Sequence, residues 1–333
     1  MHLFEDTSQH RDQTPKSAPR SCAPTFFEAR DADEHASNLT DWQQQYDQVS
    51  AGGYYGSILE IQLDEAQVFT EHNSHALHQT CNVWADSIWL GIPVNPNSES
   101  KINGLSIDDE HLMCRPGDCS FELVTPEDFD IFGIVIKQQT LMNAAETQGI
   151  ELNWQDLIQH GRLALPKSTL DSTRYVLARM LKQNANLPPS RVQQDLVIMA
   201  MLELLQKESH NESIPASFQR RKNIVDTVKA FLQQHHDEPV TITQLCDIAN
   251  VSRRTLQYSF ETVLGISPLQ YLRVSRLNGV RRRLLQSHQQ EAVADIAAQW
   301  GFWHLSQFAK DYKQLFGELP SHTLKKSSLN MLS

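Results

Sequence analysis

Two short stretches near the C-terminal end of the chain carry side chains that suit base-pair recognition. The first contains Ser252, Arg253, Arg254, Gln257 and Tyr258. The second contains His304, Ser306, Gln307, Lys310 and Lys313. Arginine hydrogen-bonds to guanine and glutamine to adenine, and each good pair contributes about 1–3 kcal/mol of discrimination between bases. Lysine neutralises phosphate, and a helix N-terminus such as that at Ser252 also suits an anion. We therefore predict that both stretches contact double-stranded DNA.

The spacing of apolar residues places each stretch on a helix. Leu256 and Phe260 lie four residues apart in the first stretch. Phe308, Tyr312 and Leu315 recur in the same way in the second. These side chains are expected to face a core, which leaves the polar ones exposed. A short helix and a tight turn precede each stretch, at about 241–262 and again at about 292–316, so the sequence predicts a duplicated helix-turn-helix.

One long helix, Pro268 to Gln286, is predicted to join the two units. Its 19 residues span roughly 28 Å at 1.5 Å per residue. Successive major grooves on one face of B-DNA lie about 34 Å apart, so one chain can place both helices in adjacent grooves. The run Arg281–Arg283 at the end of this helix suits either the negative end of the helix dipole or a phosphate. The sequence leaves both interpretations open.

The charge of the chain is divided unevenly along its length. The 333 residues have a net charge of −11, which alone argues against binding to nucleic acid. From Phe218 to the end, however, 15 Lys and Arg face 9 Asp and Glu, a net charge of +6, and the remainder carries −17. A basic C-terminal third is typical of phosphate binding, and the acidic N-terminal part predicts a different partner.

The N-terminal part has a different organisation. Residues 1–38 are polar and predict a disordered tail, and Asp41–Val49 predicts a short amphipathic helix. Apolar runs at 57–63, 66–70, 87–92, 120–124 and 131–136 predict strands, and residues 138–206 have helical periodicity. The fold class is therefore α+β. We predict a β-rich effector-sensing domain with C-terminal helices at 39–207, a cupin-like barrel or sandwich. A linker at 208–218 and an all-α DNA-binding domain at 219–326 follow it.

Residues 220–326 resemble the DNA-binding domain of the AraC/XylS family of transcription regulators. The resemblance rests on SRRTLQYSFETVLGISPLQYL (252–272) and DIAAQWGFWHLSQFAKDYKQLFGELP (295–320). Family positions in the second stretch are Gly301, Phe302, Ser306, Phe308, Phe316, Gly317 and Pro320. Two residues depart from the family pattern, Trp303 at a usual helix cap and Leu305 at a usual polar base-contacting position. The resemblance implies an effector-responsive activator that binds promoter DNA, contacts RNA polymerase and carries out no catalysis.

Stretches outside that domain, 41–72 and 81–93, are similar to the members of this family that control ethanolamine utilisation. That resemblance implies ethanolamine and adenosylcobalamin as effectors. Ethanolamine is a small cation with a hydroxyl, so its pocket needs a carboxylate, aromatic faces and a polar partner. Side chains of the first two kinds on predicted strands are Glu60, Trp84, Trp89 and Glu122. The alternative is that the tryptophans only fill the core. A string of Asp109, His111 and Cys114 resembles a cobalamin motif but lacks its glycine.

Two other classes of function stay open. His72, His75, His78 and Cys81 recur every three residues, which would suit a metal-dependent barrel enzyme fused to a DNA-binding domain. This spacing on a strand sends side chains to opposite faces, however, so we predict no metal site and no enzyme. A scaffold that binds neither DNA nor ligand is the other class. No Ser-His-Asp set, P-loop or dinucleotide fingerprint is present.

Composition bounds the surroundings of the protein. No run of about 18 apolar residues occurs, and Met1–Arg20 lacks an apolar core, so we expect neither a membrane span nor a secretion signal. Five cysteines do not form a disulfide framework, which favours the cytoplasm. Helices at 168–206 offer Leu and Met faces that suit either packing within the monomer or a homodimer.

Overall fold

The computed structural model describes residues 23–96, 98–152, 161–182, 189–206, 214–238, 240–287 and 291–330. The strands in these ranges are β1 (Thr25–Ala29), β2 (Gln43–Gln48), β3 (Gly56–Gln62), β4 (Ala66–Asn73), β5 (Leu77–Asn82), β6 (Ser87–Pro93), β7 (Lys101–Ile102), β8 (Leu105–Ser106), β9 (His111–Pro116), β10 (Phe121–Thr125), β11 (Phe129–Lys137) and β12 (Arg162–Ala164). The helices are α1 (Ala32–Ala36), α2 (Gln138–Thr147), α3 (Lys167–Leu181), α4 (Ser190–Gln206), α5 (Ala216–Gln234), α6 (Ile242–Ile248), α7 (Arg253–Leu264), α8 (Pro268–Gln286), α9 (Val293–Gln299), α10 (Leu305–Phe316) and α11 (Pro320–Asn330). The predicted α+β class is confirmed.

The N-terminal domain consists of two antiparallel sheets. The seven-stranded sheet has the order β1-β3-β4-β11-β6-β9-β12, and the five-stranded sheet has the order β2-β5-β10-β7-β8. The strands predicted from apolar runs correspond to β3, β4, β6, β10 and β11. Because side chains alternate along a strand, each sheet has one face toward the other sheet and one face toward helices.

A first apolar core lies between the seven-stranded sheet and helices α2, α3 and α4. Ile61, Val68 and Ile134 from the sheet are fully buried against Leu177 and Met201 of the helices. Burying each such side chain contributes about 1.5–3 kcal/mol. The helical periodicity predicted within residues 138–206 is confirmed in α4, but only part of the apolar stripe of this helix is in this core. Its exposed members, between 45% and 50% accessible, are Val192, Leu196 and Met199.

A second core fills the space between the sheets. Trp89 stacks on Phe121 with ring centroids 4.9 Å apart, and both rings are buried. Gly133 and Gly91 oppose each other on β11 and β6, and a Cβ on Gly133 would lie within 2.1 Å of the Phe69 ring. The glycines therefore make room for the large rings that close this core.

The C-terminal domain contains two helix-turn-helix units, α6–α7 and α9–α10, joined by α8. The predicted connector is confirmed, since α8 runs from Pro268 to Gln286. The recognition helices α7 and α10 each have 12 residues and end at a left-handed glycine, Gly265 with φ 76° and Gly317 with φ 72°. Only glycine adopts that conformation without strain. The two recognition helices are offset by 52 residues, which makes position 253 equivalent to 305.

Two predictions for the first 49 residues are wrong. Residues 25–36, expected in a disordered tail, form β1 and α1, because β1 pairs with β3 and Asp31 caps α1 by accepting from the backbone of Asp33 and Glu34. Residues 43–48, expected to be helical, form the edge strand β2, whose Tyr46 and Gln48 are buried. Both segments depend on partners far away in the sequence. Residues 1–22 and most of the predicted linker lie outside the described residues.

Gly279 of α8 tests the packing of the second helix-turn-helix unit. A Cβ at this position would lie 2.2 Å from the Trp300 ring. We expect Gly279→Ala to lower the free energy of unfolding by about 1–3 kcal/mol, because overpacking outweighs the gain in helix propensity. Urea unfolding measures the difference, with Gly53→Ala as control, since nothing lies within 4 Å of a Cβ there. Equal stability of both variants would contradict the packing described.

Candidate nucleic-acid interface

The first recognition helix, α7, exposes its N-terminal turn. The Ser252 hydroxyl caps the helix by accepting from Thr255 N at 3.2 Å. Leu256 anchors the opposite face, fully buried as predicted. Arg253 and Arg254 are exposed, and neither forms an ion pair among the described contacts. Their guanidinium groups are therefore directed to solvent.

Tyr258 and Gln257 are more constrained than the arginines. Tyr258 is 55% exposed, and the Arg221 guanidinium lies over its ring at 4.7 Å from the centroid. Gln257 is half-buried and donates to Glu261 Oε1 at 2.6 Å, so its amide must leave this contact to read a base.

The second recognition helix, α10, has the same buried and exposed faces as α7 but differs at its N-terminus. Phe308 and Tyr312 are buried as predicted. Its N-cap residue, His304, makes no side-chain capping hydrogen bond. Gln307 donates to Asp311 Oδ1 at 2.6 Å, and Arg273 also pairs with Asp311. The exposed predicted residues on this unit are His304, Ser306, Gln307, Lys310 and Lys313. All ten predicted DNA-contacting residues are thus at least partly accessible, and their contact with DNA stays a prediction.

The N-terminal domain contacts the C-terminal ends of both recognition helices, which the sequence did not predict. On α7, Lys101 Nζ donates to Thr262 O at 2.8 Å, and His78 Nε2 lies 3.3 Å from Leu264 O. On α10, Gln48 Nε2 donates to Leu315 O at 2.8 Å and Gly52 N donates to the same oxygen at 2.9 Å. The last carbonyls of a helix have no partner within it. The β-domain therefore satisfies groups at the end of each helix opposite to the predicted DNA-binding end.

The connecting helix α8 is held by the same domain. Its Asn278 side chain accepts from Gln48 N and donates to Gln48 O, both at 3.0 Å. Arg281 Nε pairs with Asp31 at 2.5 Å, and Arg282 Nη1 pairs with Asp47 at 2.8 Å and with Asp33 at 3.3 Å. The run Arg281–Arg283, for which the sequence left two interpretations open, therefore forms ion pairs, with Arg283 on Glu291.

The ion pairs of Arg281 and Arg282 are largely buried, and burial shifts the pKa of two of the carboxyl groups in them. Burial raises the pKa of Asp33 to about 7, although Arg282 opposes that change. Burial also raises the pKa of Asp47. The pKa of Arg282 is raised by the two carboxylates against the effect of burial. We therefore expect the stability of the contact between the domains to depend on pH near neutrality.

The predicted effector residues do not form one site. Glu60 is buried between the sheets, where it accepts from Thr40 Oγ1 at 3.0 Å and Gln62 Nε2 at 2.5 Å. Trp89 and Trp84 belong to the aromatic core beside it, which is the alternative the sequence left open. Glu122 faces the other side of β10 and pairs with Lys229 of α5. Glu122 is separated from the other three residues because side chains alternate along β10. Phe121 points into the core between the sheets, so the next residue, Glu122, points away from it.

Glu122 instead lines a cavity of about 310 Å³ between the two domains. The outer face of the five-stranded sheet contributes Asp47, His78 and Glu122, and the helices contribute Lys229, Tyr271, Ser275 and Trp300. His236 stacks on Trp300 with centroids 4.6 Å apart. Burial and the nearby Lys229 lower the pKa of His78 to about 4. The cavity is thus polar, lined by both charges and by aromatic rings.

The histidine and cysteine series does not converge. His72 pairs with Asp130 at 3.1 Å, His75 with Ser74 at 2.8 Å, and His78 faces α7. Cys81 is buried between the sheets. Within the described residues no group of three His, Cys, Asp or Glu side chains is placed to hold a metal ion. None of the described helices is long and apolar enough to cross a bilayer.

Asp33 gives a testable pH dependence. Its folded pKa of about 7 exceeds the ordinary value of 3.8, so the folded state binds a proton that the unfolded state releases. The contribution of this group to stability is therefore fully present below pH 4 and is lost as the pH rises through 7. We expect Asp33→Asn to flatten the fall in unfolding free energy between pH 5 and 8, measured by urea titration. Asp237→Asn, at an exposed position, is the control, and an unchanged slope in Asp33→Asn would contradict the assignment.

Comparison with known proteins agrees with the helical part of this description. Residues 245–326 match the family described as a helix-turn-helix domain. The probable thc operon regulatory protein of Rhodococcus erythropolis is 38% identical over 103 residues, which covers 31% of this chain and 31% of that protein. XylDLEGF operon transcriptional activator 3 of Pseudomonas putida is 31% identical over 142 residues, 41% of this chain and 40% of that protein. The chain spans less than half of the length of these two relatives.

One solved structure is also similar in sequence. The probable AraC family transcriptional regulator from Rhodopseudomonas palustris CGA009 is 32% identical, with a TM-score of 0.29 over 32% of this chain and 97% of that one.

Proposed function

From the premise of an AraC-type helix-turn-helix domain at the C-terminal end, we propose that the chain is an effector-responsive activator of transcription. It binds promoter DNA with α7 and α10 in adjacent major grooves and acts together with RNA polymerase in the cytoplasm. The related proteins are an operon regulatory protein and a transcriptional activator, which supports this assignment.

One observation carries the proposal. The N-terminal turns of α7 and α10 are both exposed, while their C-terminal ends are both covered by the β-domain. Recognition helices of helix-turn-helix proteins contact base edges with their N-terminal residues. The connecting helix α8 has 19 residues and is therefore about 28 Å long, a length close to the groove repeat of about 34 Å. The positive charge of the C-terminal third supplies the phosphate attraction.

The cavity between the domains is the proposed effector site. A small primary ammonium such as that of ethanolamine can compete with Lys229 for Glu122, and the Trp300 ring offers a cation–π surface. The Ser275 hydroxyl lies in the same lining and suits the alcohol. Occupation of this cavity would favour one arrangement of the domains over another, because an effector shifts an equilibrium only by binding one state more tightly.

Two further partners belong to the proposal. Adenosylcobalamin is too large for a cavity of about 310 Å³, so it enters as a second effector with a site of its own. A homodimer would use the exposed apolar face of α4, where Val192, Leu196 and Met199 are about half exposed.

DNA binding by the full chain tests the core of the proposal. A binding site selected from random-sequence DNA serves as the probe, and affinity is measured over a range of salt concentrations with no effector, with ethanolamine, and with adenosylcobalamin. We expect log K to fall steeply with log salt, because lysines and arginines release counterions from phosphates. A flat response, or selection of no sequence, would favour a scaffold. Binding that ignores both compounds would remove them as effectors.

Arg254 and Lys313 separate base reading from phosphate contact. We expect Arg254→Ala to cost about 1–3 kcal/mol and to relax the preference at one base pair. Lys313→Ala should weaken binding to all sequences alike and lower the salt slope by about one. Arg179→Ala, at an exposed position on α3, is the control. Unchanged affinity and base preference in Arg254→Ala would refute the assignment of α7.

Glu122 tests the effector site. We expect Glu122→Gln to abolish the response of DNA binding to ethanolamine, because the amide no longer attracts an ammonium, while binding without ethanolamine persists. Glu127→Gln, at an exposed position two residues beyond the end of β10, is the matched control. The measurement is operator affinity by fluorescence anisotropy with and without ethanolamine. A full response in Glu122→Gln would show that the amine binds elsewhere.

A further inference from the structure

We propose that the second helix-turn-helix unit reads thymine methyl groups through Trp303 and Leu305, whereas the first unit reads bases through arginines. This inference rests on the proposed DNA-binding function and adds the chemistry by which each half of the binding site is recognised.

The internal repeat allows the two units to be compared position by position. Because α7 and α10 have the same length and the same terminal glycine, an offset of 52 residues superposes their sequences. Leu305 then takes the place of Arg253, and Ser306 takes the place of Arg254. Buried anchors keep their positions, since Leu256 corresponds to Phe308 and Phe260 to Tyr312. The scaffold is therefore the same, and the exposed N-terminal turn has lost both arginines, one to an apolar leucine and one to a serine.

The apolar residues in the second unit are exposed although a core lies beside them. Trp303 is 65% exposed and Leu305 is 45% exposed. Their neighbour Phe302 turns inward and packs on Phe308 with ring centroids 5.0 Å apart. The turn between α9 and α10 thus buries one aromatic ring and leaves the next in solvent. Two large exposed apolar side chains within three residues at a recognition-helix N-terminus, in a basic domain, form an interaction surface rather than part of the core.

The remaining side chains of α10 carry little base information. Gln307 is held by Asp311 of its own helix. Lys310 and Lys313 are exposed ammonium groups, which act as point charges toward phosphates. We therefore infer that the second unit recognises bases mainly through the first turn of α10. The C5 methyl of thymine is the apolar group at the edge of the major groove, and apolar side chains recognise it by contact.

The charges around the apolar pair select nucleic acid as the occupant. His304 lies between Trp303 and Leu305, and the exposed lysines follow on the same helix. Exposed ammonium groups on the helix that carries the apolar pair fit the phosphates that flank a methyl-bearing groove. A protein partner at this surface, such as RNA polymerase, is the competing occupant, and the experiment below distinguishes the two.

The test replaces single thymines by deoxyuridine, which removes only the methyl group. The full chain is bound to a site selected from random-sequence DNA, and each thymine is exchanged in turn. We expect a loss of about four-fold in affinity at one or two thymines of the half-site bound by α10, as for burial of one methyl group. Exchanges in the half-site bound by α7 should have no such effect.

Variants assign the methyl contact to its residues. In Leu305→Ser and Trp303→Ser, thymine and deoxyuridine should bind equally at the position each residue reads. Leu305→Met, which keeps an apolar side chain, should retain the difference. Leu305→Arg copies the first unit and should shift the selected base toward guanine. Circular dichroism of each variant checks that the domain is folded.

The outcomes separate this inference from the proposed function. If no DNA is selected, the proposed function fails. If DNA is selected but deoxyuridine costs nothing at any position, the methyl-reading inference is overturned and DNA binding stands. A methyl effect that persists in both serine variants also overturns it. Serine variants that bind DNA normally but fail to activate transcription would identify the surface as a polymerase contact, which overturns it as well.

Discussion

Hydrogen bonds from the β-domain to the last carbonyls of both recognition helices are the constraint on which the arrangement of the molecule depends. Lys101 reaches the end of α7, and Gln48 reaches the end of α10. The two helices belong to separate units with separate cores, so a rigid α8 alone would not fix both against the sheet. Because each recognition helix is attached to the β-domain at its C-terminal end, its N-terminal turn is the end that remains accessible to a partner.

The acidic N-terminal part of the chain has a structural partner within the same molecule. Asp31, Asp33 and Asp47 neutralise Arg281 and Arg282 of α8. Removing one member of such a buried pair leaves an uncompensated charge and is strongly destabilising. The uneven charge distribution in the sequence therefore has two roles. The arginines at one end of α8 form ion pairs with the N-terminal domain, and those on α7 remain exposed to an external partner. Asp47 and Arg282, which form one of these pairs, also line the cavity between the domains.

Local patterns were enough to predict the helical domain, since a helix depends on residues three and four apart. The bounds of α8, the inward faces of α7 and α10, and the exposure of Arg253 and Arg254 all follow from such spacing. Contacts across large sequence distances were not predictable. A strand is recognised in a sequence by alternating apolar residues, but β2 has Gln44 and Gln48 at two of these positions. Polar residues are found there because the inward face of β2 contacts polar groups and its outer side contacts α8. Glu122 was predicted to lie in one effector site with Glu60. The register of β10, which the sequence does not show, instead directs Glu122 toward the helices.

The paired contact between Asn278 and the backbone of Gln48 has a consequence for how far the domains can part. Strand β2 lies at the edge of its sheet, and one side-chain amide there accepts from and donates to the backbone as a neighbouring strand would. An uncovered sheet edge is a template for pairing with other chains. Complete separation of the domains would therefore expose the unpaired edge of β2, which could pair with other chains. A small rotation between the domains is consequently favoured over their full separation. The helical domain also protects the chain against self-association by covering this edge.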